Sequence, residues 1–169
     1  MEGALLGNVA AALILEAAPA SASDRDAAQT CAQTLSRLFQ DVLLVGEGAS
    51  RIDVPERARV VATEAQEGLV SAAVEAASAD RILLIDAPAS ALAADVFAGL
   101  AAWPEAQAVV LARESTSKHC ATAICQRAAS LAVLEEEPTA SLASLVERLA
   151  GDVVSLAALG LSDGSAEAC

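Results

Sequence analysis

The sequence predicts an α/β fold, a three-layer sandwich in which helices cover both faces of a mostly parallel sheet that includes one antiparallel strand. Short apolar runs alternate with amphipathic helical segments along the chain, which is typical of strands joined by covering helices. The 169 residues are 55% hydrophobic but include only two Phe, one Trp and no Tyr. Alanine, valine and leucine must therefore build the core, and side chains of this size suit closely packed layers of helix and sheet.

The first third of the chain shows the alternation clearly. Residues 9–15 predict a buried strand, and residues 42–45 and 59–63 predict the two strands that follow. A helix is expected between the first two strands. Ser23 precedes Asp26 by the spacing of a capping box, so this helix is expected to begin there.

The middle of the chain repeats the pattern around its most apolar strand. Residues 67–78 predict a helix, and residues 81–85 predict a fully buried strand that ends at Asp86. A further helix over residues 92–102 is expected to stop before Pro104, because proline disfavours helical geometry in the residue that precedes it.

After a predicted fifth strand, strands and helices no longer alternate regularly. The expected elements are a parallel strand, a strand that returns antiparallel, two helices and a short final strand, at residues 108–112, 120–125, 126–136, 141–150 and 153–156. No internal repeat or linker divides the chain. We therefore expect one α/β domain over residues 1–160, followed by a C-terminal tail at residues 161–169.

The charge balance excludes two classes of partner. The chain has 23 acidic and 10 basic residues, a formal net charge of −13. A surface this negative repels the phosphate backbone of nucleic acids and anionic lipid headgroups. The sequence also lacks the aromatic side chains on which single-stranded nucleic acids stack. Neither a nucleic-acid partner nor a membrane-surface partner is expected.

The cysteines and the N-terminus indicate a cytoplasmic protein. Four irregularly spaced cysteines do not form a disulfide framework in a chain large enough to fold on its core alone, so reduced thiols are expected. Residues 4–20 are apolar, but Glu2 precedes them and no Lys or Arg does, whereas a secretory signal has positive charge there. No stretch reaches the ~18 uninterrupted apolar residues that a membrane span requires.

Asp86 is the strongest candidate for a functional residue on positional grounds. It is the first polar residue after a fully buried strand, and ligands of open α/β sheets bind outside the carboxyl ends of the strands. A carboxylate there can hold Mg²⁺ while the phosphates of a substrate fill the remaining coordination positions. The alternative is a structural role, in which Asp86 turns the chain before Pro88.

Three short segments carry a resemblance to a known family. They are Glu67-Gly68-Leu69-Val70-Ser71, Asp86-Ala87-Pro88, and the strand-to-helix segment at residues 120–129. In their order, from about residue 42 to residue 159, the chain resembles the molybdenum cofactor guanylyltransferases, which belong to a nucleotidyltransferase superfamily with a Rossmann-like fold. The resemblance implies that Asp86 is catalytic and binds Mg²⁺, and that Gly68 and Ser71 lie near the base and ribose of a nucleotide.

The chain departs from this family after the first strand. Active members carry there a glycine-rich loop and a lysine that hold the triphosphate, with the pattern Leu-Ala-Gly-Gly-x-x-x-Arg-Met-Gly. Here no glycine lies between Asn8 and Val45, and no lysine precedes Lys118. Arg25 is the only cation near the position of this loop and is flanked by two aspartates, so it is the remaining candidate for contact with a phosphate. A backbone without glycine cannot easily approach a phosphate closely, so poor NTP binding is expected.

These observations favour a binding protein over an enzyme. The favoured function is a divergent nucleotidyltransferase-fold protein without normal NTP transfer, which acts by binding a nucleotide or pterin ligand or a protein partner. The alternative is an active, Mg²⁺-dependent nucleotidyltransferase that uses Asp86, with Arg25, to transfer a nucleotidyl group to a phosphorylated acceptor such as molybdopterin. A third reading is a homo-oligomer or hetero-oligomer in which a partner subunit supplies the missing loop.

Overall fold

The fold is organised around β1, an alanine-rich strand that the chain buries on both faces. The computed structural model describes residues 5–63, 68–86, 94–104, 108–111, 122–150, 152–154 and 157–159. The strands are β1 (Leu6–Ile14), β2 (Phe39–Val45), β3 (Ala58–Val61), β4 (Arg81–Asp86), β5 (Ala108–Leu111), β6 (Thr122–Gln126) and β7 (Asp152–Val154). The helices are α1 (Ala22–Leu38), α2 (Leu69–Ala76), α3 (Ala94–Ala101), α4 (Arg127–Glu136) and α5 (Leu142–Arg148), with 3₁₀ helices at Glu47–Arg51, named η1 below, and Ala157–Leu159.

In the described residues the strands form one seven-stranded sheet in the order β3-β2-β1-β4-β6-β5-β7. Strand β6 runs antiparallel to β4 and β5, and every other neighbouring pair is parallel. The chain lays β2 and β3 on one side of β1 and then returns to place β4 on the other side. Strands β1 and β4 therefore flank the point where the strand order reverses, which is where open α/β sheets bind ligands.

The two faces of the sheet bury two separate apolar cores. Ala11 and Leu13 of β1 face the core that contains buried residues of α1 and α3. Ala10 and Ala12 face the core that contains buried residues of α2, α4 and α5. The predicted three-layer sandwich, mostly parallel with one antiparallel strand, is confirmed. The alanines of β1 have no accessible surface, so helices pack closely on both sides of the central strand.

The start of α1 differs from the prediction. Its N-cap is Ser21, whose hydroxyl accepts a hydrogen bond from the Asp24 backbone N–H at 3.1 Å and donates to the Asp24 carboxylate at 2.8 Å. The predicted cap at Ser23 is therefore wrong by two residues. Ser21 and Asp24 have the same capping-box spacing as Ser23 and Asp26, and the earlier serine is the one with extended backbone dihedrals.

Other predicted segments differ from the structure in their bounds or lie outside the described residues. Strand β3 ends at Val61, whereas the apolar pattern extended it to residue 63. Residues 87–88 of the Asp-Ala-Pro segment, residues 120–121, Lys118 and the C-terminal tail at residues 161–169 lie outside the described residues. Among the helices of the described ranges, none combines the length and the apolar character that crossing a bilayer would require.

A polar network at the amino-terminal edge of the sheet makes stability depend on pH. The carboxylate of Asp41 in β2 accepts hydrogen bonds from the backbone N–H and the hydroxyl of Ser78, at 3.0 and 2.8 Å, and pairs with Arg59 of β3 at 3.3 Å. Burial by itself raises the pKa of Asp41. The hydrogen bonds from Ser78 and the charge of Arg59 outweigh burial, and the pKa of Asp41 falls below its ordinary value.

A folded-state pKa below the unfolded value stabilises the protein at pH values above the unfolded pKa. We expect this contribution to be lost as the pH falls below about 4 and through the folded pKa. Urea denaturation at about pH 6 and about pH 3 measures it. The Asp41→Asn variant should lose less stability over this interval than the unmodified protein. Equal losses in the two proteins would contradict the assigned role of Asp41.

Candidate functional site

The carboxyl edge of the sheet brings Asp86 beside the end of β1. Asp86 is the last residue of β4, is half-buried, and pairs in register with Ile14 of the parallel strand β1. Its carboxylate thus belongs to the switch point of the sheet, as the pattern of the sequence predicted. Asp86 therefore lies where a carboxylate could contact a ligand. The catalytic and metal-binding roles of Asp86 stay predictions.

The connection between β1 and α1 is short and packs against η1. Its first residue, Leu15, donates its backbone N–H to the carbonyl of Val45 at 2.7 Å and accepts one from Gly48 at 3.0 Å. Gly46 has a φ of 109°, a conformation that favours glycine, and the backbones of Leu15 and Ala17 pass close to Gly46 and Gly48. The glycines that follow β2 therefore serve to dock η1 onto the loop that follows β1.

A cavity of about 620 Å³ opens between this loop, the first turn of α1 and η1. Its lining residues are Ala18, Pro19, Ala20, Ser21, Ala22, Arg25, Ser50 and Arg51. Among the described residues that line it are two guanidinium groups, those of Arg25 and Arg51. The expectation that Arg25 is the only cation here is wrong, because Arg51 arrives from a different element. Asp24, one of the two aspartates that flank Arg25, accepts a hydrogen bond from the Ser21 hydroxyl at 2.8 Å.

Sequence analysis missed Arg51 because it lies far from Arg25 along the chain. A usable signal was present, since Arg51 ends η1, the first element after β2. The rule that placed Asp86 at the carboxyl end of β4 applies equally to the segment after β2, because parallel strands end at the same edge of the sheet.

Gly68 and Ser71 lie in α2, on the other face of the sheet from α1. Gly68 is the N-cap of α2, and a Cβ there would lie 2.4 Å from the Pro138 carbonyl oxygen, so the close approach of the α4–α5 connection requires glycine. Ser71 is buried and donates to the Glu75 carboxylate at 3.2 Å. Neither residue lines the cavity with Arg25. Both have structural contacts, and contact with a nucleotide stays a prediction for each.

Arg127, the arginine of the family-like segment at residues 120–129, lies at the opposite edge of the sheet. Its guanidinium donates to the carbonyls of Val74 and Glu75, at 3.0 and 3.1 Å, near the end of α2. Cations are favoured there because the last carbonyls of a helix lack backbone partners. The structure thus gives Arg127 a helix-stabilising role.

The described residues contain no group of three or more His, Cys, Asp or Glu side chains that could hold a metal ion. Asp86 accordingly offers a single carboxylate. A single carboxylate suits Mg²⁺, which is commonly bound by one or two carboxylates together with substrate phosphates and water. The donor chemistry of Asp86 therefore fits this ion, with the remaining ligands to come from substrate and solvent.

The described cysteines take no part in a site. Cys31 and Cys125 are buried, one in each of the two cores, and neither forms a disulfide within the described residues. Burial raises the pKa of the Cys31 thiol to about 12, so Cys31 stays protonated at neutral pH. The thiolate is the reactive form of cysteine, and a buried thiol of this kind is chemically inert.

An open, mostly parallel α/β sheet with helices on both faces is a Rossmann-like fold. Comparison with solved structures identifies the fold more specifically. The bifunctional IspDF of Campylobacter jejuni is 8% identical over 88% of this chain and 49% of its own, with a TM-score of 0.60. The 4-diphosphocytidyl-2C-methyl-D-erythritol synthase of Anaerococcus prevotii is 14% identical over 87% and 88% of the two chains, with a TM-score of 0.62. The chain has a nucleotidyltransferase fold.

A third structure agrees. The 2-C-methyl-D-erythritol 4-phosphate cytidylyltransferase of Thermus thermophilus is 18% identical over 86% of this chain and 87% of its own, with a TM-score of 0.57. The chain spans about half the length of the bifunctional protein. No protein-family model and no curated protein matches the sequence. These likenesses show the fold that the resemblance implied, and they do not reach its guanylyltransferase member.

Proposed function

We propose that this chain is a divergent nucleotidyltransferase-fold protein that acts by binding a ligand and does not carry out normal NTP transfer. The observation that supports this proposal is the short β1–α1 connection. It contains the exposed Glu16, it includes Pro19, which has no N–H to donate, and it contains neither glycine nor lysine. Transfer from an NTP relies on positioned donors and cations around the phosphates, and this loop supplies few of them.

The second candidate is an active, Mg²⁺-dependent nucleotidyltransferase, and the position of Asp86 beside β1 favours it. Mg²⁺ held by Asp86 would neutralise phosphate charge in such an enzyme. The side chains of this chain would then have to orient both the nucleotide and its acceptor. The two arginines at the cavity are the described groups best suited to hold a phosphate there.

The remaining parts of the proposal rest on the sequence. A pterin ligand, a phosphorylated acceptor such as molybdopterin and a link to molybdenum cofactor chemistry come from the resemblance to the guanylyltransferases. The charge of −13 supports a protein without nucleic-acid or membrane partners, and the cysteine pattern supports a cytoplasmic location. Assembly into a homo-oligomer or hetero-oligomer would be the way to acquire the missing loop from a partner subunit.

Calorimetric titration with GTP, CTP and ATP, each with and without Mg²⁺, separates the two candidates. We expect no nucleotide to bind in a manner that requires both Mg²⁺ and Asp86. The Asp86→Asn variant removes one negative charge at the switch point. Asp80→Asn is the matched control, because Asp80 is exposed and precedes β4 at the opposite edge of the sheet.

Magnesium-dependent binding of one nucleotide that is lost in Asp86→Asn and kept in Asp80→Asn, together with release of pyrophosphate when a phosphorylated acceptor is added, would contradict the binding-only proposal. That result would establish the active enzyme as the better reading and would identify the base. Weak or absent binding that is the same in all three proteins is the result expected for a fold that has lost its triphosphate site.

A further inference from the structure

Strand β3 forms one edge of the sheet in the described residues, where β2 is its only neighbour. A strand at an edge presents backbone N–H and carbonyl groups with which a further strand can pair. Among the described residues, the two large apolar side chains that are exposed are Val54 and Val60, and both belong to the stretch that carries this edge. The β3 edge therefore combines backbone groups and apolar surface that another strand could cover.

The β3 strand has little of the protection that natural sheets give to their edges. Lysine, proline or a bulge commonly blunts an edge strand, whereas β3 reads Ala-Arg-Val-Val and pairs with β2 in an unbroken register. Its one charged residue, Arg59, pairs with the Asp41 carboxylate at 3.3 Å and donates to the Ala76 carbonyl at the end of α2. Arg59 is thereby held toward β2 and α2, away from the outer side of β3.

The backbone of this stretch is held in place before any partner arrives. The side-chain amide of Gln29 in α1 donates to the Asp53 carbonyl at 2.9 Å and accepts the Asp53 backbone N–H at 2.6 Å. The Ala58 N–H donates to the Pro55 carbonyl at 2.9 Å in the turn that leads into β3. Because the exposed valines are carried by a preorganised backbone, association through this edge costs little ordering of the chain.

The charge of this stretch favours a second copy of the chain as the partner. Residues 51–61 contain three arginines and two acidic residues, a formal charge of +1 in a chain of −13. The remainder of each chain therefore carries −14, which is −13 minus +1. Two such chains repel each other over most of their surface, and the edge stretch is where one copy presents positive charge to the acidic surface of the other.

We propose that two copies of this chain pair through antiparallel β3 strands, with a two-fold axis at Val60. In this register Val60 of one copy lies opposite Val60 of the other, and Arg59 lies opposite Val61. A two-fold axis at Arg59 would instead place like charges directly opposite each other, which is destabilising. The exposed Val60 side chains leave water together, and the two sheets become one continuous sheet.

This inference rests on the homo-oligomer that the proposed function allows, and it names the surface through which the copies meet. Two strands of four residues make a small contact, so the dissociation constant is expected in the range of about 10–100 μM. Unfolding measured at low micromolar concentration then reports on the monomer. A chain that stays monomeric would overturn this inference and leave the nucleotide titrations to test the proposed ligand binding independently.

The first test is sedimentation equilibrium of the full chain from low micromolar to about millimolar concentration, a range that brackets the expected dissociation constant. We expect a monomer–dimer equilibrium with no larger species, because each chain offers one β3 edge. Val60→Asp should weaken the dimer about tenfold or more, since it places two carboxylates opposite each other at the two-fold axis. Ala132→Asp is the matched control, because Ala132 is exposed in α4, away from this edge, and receives the same charge.

The second test is cross-linking, which does not depend on how Val60→Asp folds. Residues directly opposite in an antiparallel pair have Cβ atoms about 4.5–5.5 Å apart, so Val60→Cys should form a disulfide between two copies under mild oxidation. Ala132→Cys keeps the same natural cysteines and should cross-link far more slowly.

Three results would overturn the proposal. The first is a monomer at every concentration. The second is equal weakening of the dimer in Val60→Asp and Ala132→Asp, which would show repulsion by net charge alone. The third is cross-linking of Val60→Cys no faster than that of Ala132→Cys. A dimer that Val60→Asp leaves intact would assign the contact to another surface and would likewise overturn it.

Discussion

Replacing Gly46 by alanine is expected to destabilise the protein by about 3 kcal/mol or more. Gly46 combines a φ of 109° with an extended ψ of 174°, a region that is open almost only to glycine. A Cβ at this position would also lie 2.2 Å from the Leu15 carbonyl oxygen and 2.7 Å from the Leu15 carbonyl carbon. Both atoms belong to the backbone at the end of the central strand, so neither can move aside cheaply.

Urea denaturation measures this effect, followed by far-UV circular dichroism and by the fluorescence of Trp103, the only tryptophan of the chain. Gly7→Ala is the matched control. A Cβ at Gly7 would meet only the exposed side chain of Gln40, which is free to move. The control should differ from the unmodified protein by less than about 1 kcal/mol. A loss in Gly46→Ala no larger than in the control would contradict the tight docking of η1.

The backbone conformation of Gly46 also affects the position of a residue that lines the cavity between α1 and η1. Gly46 and Gly48 allow η1 to lie against Leu15 and Ala17, and η1 carries Arg51 to the cavity. A Gly46→Ala protein that still folds is therefore expected to show faster hydrogen exchange at the backbone amides of η1 than the Gly7→Ala control. Glycine is absent from the β1–α1 loop and is present instead in the segment that docks onto this loop.

The fold could be predicted from the sequence because its signals are local and repeat along the chain. The apolar run of β4 and the alternation of strands with amphipathic helices predict layers of sheet and helix. The first polar residue after a buried strand then lies at the carboxyl edge of the sheet. The cap of α1 was misplaced because two serine–aspartate pairs, beginning at Ser21 and Ser23, have the same spacing. Backbone dihedrals distinguish the two pairs, and the letters of the sequence do not.

The candidate site was less predictable because its residues meet only in three dimensions. Arg51 lines the same cavity as Arg25 because η1 docks onto the β1–α1 loop. This docking depends on the backbone conformation of Gly46, which the composition of the sequence does not reveal. Gly68 is a different case, because the structure adds a second explanation to a prediction that stays untested. The glycine resembles a ligand-binding position, yet a second explanation for it is visible only once the carbonyl of Pro138 is seen against it.

Phe97→Ala is expected to have the largest effect on stability, a loss of about 3–5 kcal/mol. Phe97 of α3 is fully buried and is one of only two phenylalanines in the chain. The core to which it belongs also contains five buried alanines, at positions 11, 28, 32, 49 and 101. Alanine has no rotamers with which to fill a void, so this core should relax little and the loss should lie near the upper end of the range.

Two further variants calibrate this prediction in the same urea experiment. Phe97→Leu keeps most of the apolar volume and should cost clearly less than Phe97→Ala. Val60→Ala, on β3 with 50% of its surface exposed, should change stability by less than about 1 kcal/mol. Because domains of this kind are stable by only about 5–15 kcal/mol, Phe97→Ala should remove a large share of the total. A loss near 1 kcal/mol would mean that the alanine-rich layers relax to fill the void left by the phenyl ring. Packing on the α1–α3 face would then be less rigid than the burial of β1 implies.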